Sequence, residues 1–365
     1  RERIAQARNL ENFELSQSYL AFWDKFERCN YFLESILETA ALPTTDRTVM
    51  HILSTGVHDG GQWDMFANIV RKYGVVPKDV YDETYQSSNT RSMNAQLNRA
   101  LKVAAAGLRR MAADKAGADA IQAEKNKTLD AIYGFLCSCY GEPPKAFDFE
   151  FVDKDQVYHI EKNLTPLTFA ERYVGDLLDQ VVSVINAPTA DKPYHKTYTI
   201  RLLGNVVEGR PVVHLNLTMD ELKAAIIAQL KAGKVVWFGS DVGHFGERTL
   251  GVWDDRSFDF AALTGLSLAM DKADALDYGL AAMNHAMVLT GVNLDEAGKP
   301  TRWKIENSWG DKNGEKGYYV CSDSWFDQYV FQAAVEREYL GGLADLAAQE
   351  PIVLEPWDPM GTLAD

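Results

Sequence analysis

The feature that most restricts the fold of this sequence is a change of period along its length. Between residues 15 and 37, Tyr19, Phe22, Trp23, Phe26 and their aliphatic neighbours recur at spacings of three and four, the signature of one buried helix face. From Tyr198 onward the apolar residues come in alternating or short continuous runs bounded by Gly and Asn, the signature of strands. Helices first and strands later argue against regular βαβ alternation. They predict an α+β fold with segregated lobes.

Punctuation sharpens this division. Asp59-Gly60-Gly61 is a turn leading into a helix at residues 63–70. Residues 94–140 are rich in Ala, Lys, Arg, Gln and Glu and contain no Pro, so two or three amphipathic helices are expected there as an insertion. Gly141-Glu142-Pro143-Pro144 ends it. Paired strands are expected over 198–216, turning around Gly204-Asn205 and Glu208-Gly209. A helix over 219–231 follows, with Thr218 or Asp220 near its N-cap. Residues 234–239, 286–292, 302–305 and 317–320 read as strands, 324–335 as a helix and 350–365 as an extended tail.

Composition bounds the class. Hydrophobic residues make up 46% of the 365 and charged residues 24%, the balance of a folded chain with room for two or three domain-sized units. No apolar run approaches a membrane span. Four cysteines exclude a disulfide-framed scaffold and fit a reducing, cytoplasmic setting. With 37 Lys+Arg against 52 Asp+Glu the net charge is −15, which argues against nonspecific binding to nucleic acid or anionic lipid. The chain opens on Arg1-Glu2-Arg3-Ile4, without Met, and Ile4, Ala7 and Leu10 lie near helical spacing with no cap before them. This gives the expectation that residues upstream are absent.

Motifs narrow the chemistry. Phosphate-binding glycine loops and the H-E-x-x-H pattern are missing, and the seven His are scattered, so neither cofactor nor metal is indicated. Cys137-Ser138-Cys139 has no second ligand pair nearby and reads as core packing. Gly265-Leu266-Ser267-Leu268-Ala269 resembles a nucleophile elbow without its final Gly. Two segments carry more. His285 heads an apolar strand, and Asn307 ends another strand, followed by Ser308-Trp309-Gly310. An Asn amide oxygen fixes an imidazole tautomer without adding charge, which suits a Cys–His pair. From the residues alone, His285 also reads as a core histidine and Asn307 as a turn residue.

Asn307-Ser308-Trp309-Gly310, downstream of His285, resembles the Asn-Ser-Trp-Gly of papain-like cysteine peptidases. The finer resemblance is to their bleomycin hydrolase / aminopeptidase C branch. It is carried by residues 13–25 (Phe-Glu-Leu-Ser-Gln-Ser-Tyr-Leu-Ala-Phe-Trp-Asp-Lys), residues 237–243 (Trp-Phe-Gly-Ser-Asp-Val-Gly) and the tail at 357–364 (Trp-Asp-Pro-Met-Gly-Thr-Leu-Ala).

The resemblance implies a papain-like two-lobe fold with helical and hairpin insertions. Its parts would be a helical lobe over 1–90, a helical insertion over 91–145, a β-rich lobe over 146–340 and a C-terminal arm over 341–365. It implies an aminopeptidase acting on peptides with a free N-terminus through a Cys–His–Asn triad and an acyl-enzyme. His285 and Asn307 would be catalytic, Gly60 and Gly61 would bind the extended substrate, and Ala364 or Asp365 would offer a terminal carboxylate to its ammonium group. A homohexamer is implied, with the helical insertion as a candidate for subunit contacts. The family's Cys-Trp nucleophile and oxyanion Gln precede the segment resembling 13–25, and none of Cys29, Cys137, Cys139 and Cys321 is followed by Trp. The expectation is a chain lacking its nucleophile. The alternative is a catalytically inactive binding or scaffold protein on the same fold, and a more remote one is a serine hydrolase using Ser267.

Overall fold

The structure is a computed structural model that describes residues 1–364. The chain divides into two units: residues 1–178 with 202–212, and residues 179–201 with 213–364.

The first unit is built on helix α1 (Gln17–Glu38). Ser16 caps it, its hydroxyl accepting the Tyr19 amide at 3.1 Å, which satisfies one of the amides a helix start leaves unpaired. The three-and-four spacing places Tyr19, Phe22, Cys29, Phe32, Leu33 and Ile36 on one buried face. After the Asp59-Gly60-Gly61 turn comes α2 (Trp63–Tyr73). The Pro-free stretch forms two long helices, α3 (Arg91–Ala113) and α4 (Ala118–Tyr140). Leu97, Leu101 and Leu108 of the first and Ile132 and Leu136 of the second close the core over α1. Cys139 is buried in that core and Cys137 packs against it. Alternating Phe147, Phe149 and Phe151 build a hairpin of β1 (Phe147–Val152) and β2 (Tyr158–Leu164). Among the described residues no helix is long and apolar enough to cross a membrane.

The second unit is a long mixed sheet. Its strands are β3 (Val181–Ile185), β4 (Thr197–Ile200), β5 (His214–Asn216), β6 (Val236–Ser240), β7 (Gly246–Glu247), β8 (Val252–Trp253), β9 (His285–Leu294), β10 (Pro300–Glu306), β11 (Tyr318–Ser322), β12 (Val330–Glu336) and β13 (Ile352–Leu354). The spatial order is 13-4-5-3-12-6-9-10-11-8-7. Helix α5 (Met219–Lys231) begins with a capping box in which Thr218 and Glu221 satisfy each other's amides. Its apolar face packs on β12, β6 and β9 through Leu222 and Ile226, over a core that includes Phe238, Leu289, Trp303 and Ile305.

Two expectations change. The helix expected over 324–335 is α6 (Asp323–Tyr329) only; β12 follows, buried along its whole length between β3 and β6. A strand buried on both faces has no alternation, and Ala333-Ala334 made it look helical. The tail is not simply extended, since β13 pairs parallel with β4 and residues 359–364 form a 3₁₀ turn. The paired strands expected over 198–216 exist as β4 and β5. Residues 202–212 between them belong to the first unit, where Asn205 donates to Asp24 at 2.9 Å and to the Met65 carbonyl at 3.0 Å.

Candidate active site

Strands β6, β9 and β10 run antiparallel side by side, with Ser240 opposite His285 and Val288 opposite Glu306. This register brings the start of β9 beside the end of β10, although the two are far apart in sequence. His285 Nε2 lies 2.8 Å from Asn307 Oδ1. A carboxamide oxygen only accepts, so Nε2 carries the proton and Nδ1 keeps its lone pair. Asn307 is itself held: its backbone N–H donates to the Gly317 carbonyl at 3.1 Å, and its Oδ1 also accepts the Ser308 backbone amide at 2.8 Å. The turn that follows needs glycine at Gly310, where φ is +81°.

Trp309 stacks on the imidazole, with ring centroids 4.8 Å apart and planes 27° from parallel. Trp253 and Tyr319 brace it edge-on, and the Arg248 guanidinium lies 4.6 Å from its ring. Burial pulls the His285 pKa down from its ordinary value, the bond to Asn307 pushes it back up, and the charge on Arg248 lowers it further. The net direction is down, so the isolated ring is neutral at pH 7. A neutral imidazole with a free Nδ1 lone pair can take a proton from a neighbouring thiol.

A second cluster fixes where β9 begins, and sequence reasoning missed it. Asp241 is buried at the end of β6. Its Oδ1 accepts from Asn284 at 2.6 Å and from the Gly243 amide at 2.9 Å, and its Oδ2 accepts the Ala282 amide at 3.1 Å. Asn284 Oδ1 in turn accepts the Val242 amide at 3.0 Å. His244 lies 3.4 Å from the carboxylate and stacks on Tyr329. Burial raises the Asp241 pKa, but His244 and the amides of Gly243 and Ala282 outweigh it and hold the carboxyl below its usual range. Residues 282–284 are thereby tied to 241–243 directly before His285. The one legible signal was Asp241 inside the resembling segment at 237–243.

The C-terminal arm is anchored on the same strand ends. Met360 and Leu363 are buried. Thr362 Oγ1 donates to the Met283 carbonyl at 3.0 Å, and Leu363 occupies the space a side chain at Gly239 would need. Buried Lys192 pairs with Asp358 at 2.9 Å. Ala364 ends the 3₁₀ turn; Asp365 lies outside the described residues.

Gly60 and Gly61 sit in the first unit. Lys25 donates to the His58 carbonyl and to Asp59, each at 2.5 Å. Arg28 donates to the Gly60 carbonyl. A Cβ at Gly61 would stand 2.9 Å from Arg28 Nη2, so a side chain there would displace the guanidinium from the Gly60 carbonyl. Burial works against the Asp59 carboxylate, but Lys25, Thr90 and Asn94 bring its pKa down to about 2.

None of the four cysteines suits a nucleophile. Burial pushes the Cys29 thiol up to about 12, the Cys139 thiol up, and the Cys321 thiol well up. Cys137 lies on α4 against the apolar core. Ser267 stands in an irregular segment after a short helix (Phe260–Thr264), not between a strand and a helix, so the elbow reading is dropped.

Comparison with known proteins shows the family. The sequence model of the Peptidase C1-like family matches residues 1–361. The chain is 50% identical over 366 residues to aminopeptidase C of Streptococcus thermophilus, covering all of this chain and 82% of that protein. It is 40% identical over 365 residues to human bleomycin hydrolase, covering 98% of this chain and 80% of that protein. The crystal structure of PepW from Lactobacillus rhamnosis superposes with a TM-score of 0.95 at 51% identity, covering 98% of this chain and 81% of that one.

Proposed function

We propose, from the premise that this chain belongs to the Peptidase C1-like family, that it is a cysteine-type aminopeptidase releasing N-terminal residues from peptides. The observation that carries the reading is the 2.8 Å His285–Asn307 bond under the Trp309 ring, in a chain half identical to an aminopeptidase C. Because none of its own thiols suits the role, the proposal takes the nucleophile from the part of the relatives' length outside the match.

In this mechanism His285 Nδ1 takes the thiol proton, leaving thiolate and imidazolium. Asn307 holds the ring so that Nδ1 faces the thiol, and its neutral amide leaves the pair's charge balance alone. Sulfur attacks the scissile carbonyl, a C–S bond forms, and the π electrons move to oxygen. As the tetrahedral intermediate collapses the C–N bond breaks, and the imidazolium gives its proton to the departing amine. Neutral His285 then takes a proton from water, hydroxide cleaves the thioester, and the thiol is regenerated. Gly60 and Gly61 would offer backbone to the substrate. The arm ending at Ala364 and Asp365 would set a carboxylate against its α-ammonium group. The same reading carries a cytoplasmic homohexamer, which sedimentation velocity checks.

The test uses the protein from its complete reading frame and an aminoacyl-aminomethylcoumarin. Thiol-dependent turnover that His285→Ala abolishes supports the proposal. Comparable turnover by the 365-residue chain alone would refute the placement of the nucleophile, and none by the whole protein would refute the function.

A further inference from the structure

The stack on His285 continues one step beyond what the mechanism uses. Arg248 lies in the turn between β7 and β8, where the chain is tied down: Gly251 donates to the Glu247 carbonyl at 3.0 Å, Gly314 to the Thr249 carbonyl at 3.0 Å, and Tyr319 Oη to the Arg248 carbonyl at 3.2 Å. Its side chain is exposed, with the guanidinium 4.6 Å from the Trp309 ring, and Trp309 is 4.8 Å from His285. Among the described residues Arg248 makes no ion pair, in a chain with 52 carboxylate side chains against 37 basic ones. An indole face holds a guanidinium without using its N–H donors.

The position of the stack gives the cation a meaning. The imidazolium protonates the leaving amine, so that nitrogen must stand at His285, and what packs beyond the imidazole borders the departing fragment. An extended fragment runs roughly 3.5 Å per residue, so the α-carboxylate of a leaving fragment of one to three residues comes within reach of Arg248, two ring-contact spacings from His285. From this we infer that Arg248 is a specificity-determining residue that recognises the free α-carboxylate of the leaving fragment, making short peptides with both termini free the preferred substrate class. The inference rests on the aminopeptidase reading above and adds to it a preference at the opposite end of the substrate.

The experiment measures kcat/KM of the whole enzyme on matched di- and tripeptides that end in a free carboxylate or a carboxamide. An exposed charge pair of this kind favours the free acid by about fivefold at low salt, shrinking toward parity near about 1 M salt. Arg248→Gln should bring the acid-to-amide ratio to about one, and Arg248→Lys, a point charge without the fork, should keep part of it. A ratio near one in the wild type, or an unchanged ratio in Arg248→Gln, overturns the inference while leaving the aminopeptidase reading intact. Turnover of neither peptide by the wild type overturns that reading and this one with it.

Discussion

At His285, burial and hydrogen bonding pull in opposite directions, and each can be removed singly. Replacing Asn307 by Ala takes away the acceptor that supports the charged ring and fixes its tautomer. The His285 pKa should fall further, and kcat of the whole enzyme should drop at least about tenfold. Replacing Trp309 by Ala admits water and detaches Arg248, so the pKa should rise toward its ordinary value. NMR titration of the His285 ring reads both shifts, and equal direction in the two variants would contradict the account. His285 and Asn307 were legible in the sequence through the family resemblance of Asn307-Ser308-Trp309-Gly310 downstream of His285, since the residues alone left a core histidine and a turn asparagine equally open. Arg248 was not, because an exposed Arg in a turn carries no local signal. Only the fold lays it over Trp309.

Among the elements, the start of β9 is set by side chains rather than by the ladder alone. Asp241 and Asn284 close a ring of hydrogen bonds with the amides of Val242, Gly243 and Ala282. Removing either partner breaks hydrogen bonds that are part-buried or exposed, each worth about 0.5–1.5 kcal/mol, and lets the residue before His285 wander. Asp241→Ala and Asn284→Ala should each lower kcat several-fold, and the double variant should be no worse than the poorer single one, because the two act as a unit. Additive losses in that cycle would show two independent effects. The long helices of the first unit were readable from period and caps. Strand β12 was not, since a strand buried on both faces shows no alternation and its alanines favour helix.

Considered whole, the second unit carries a pH-sensitive core. His214 on β5 is fully buried, with Ser183 Oγ 2.8 Å from its Nδ1, and burial lowers its pKa to about 4. An unfolded chain protonates this ring near pH 6.5, while the folded chain resists until about pH 4. Stability is therefore complete above about pH 6.5 and declines as pH falls toward 4, by about 3 kcal/mol from this group. Urea unfolding midpoints between pH 7 and 4.5 measure the decline, and His214→Asn should flatten it from a lower starting value. A slope unaffected by that substitution would move the effect to other groups.

The sequence by itself determined the helical first part and strand-rich second part, the acidic charge balance, the family resemblance and, through it, His285 and Asn307 as candidates. All of these are written in local period or short motifs, whose physics involves residues a few positions apart. Tertiary structure alone decided the order of strands in the sheet, the incorporation of residues 202–212 into the first unit, the Asp241 clamp and the Arg248–Trp309–His285 stack. These join residues far apart in sequence, and their energies depend on register and burial that exist only once the strands are in place.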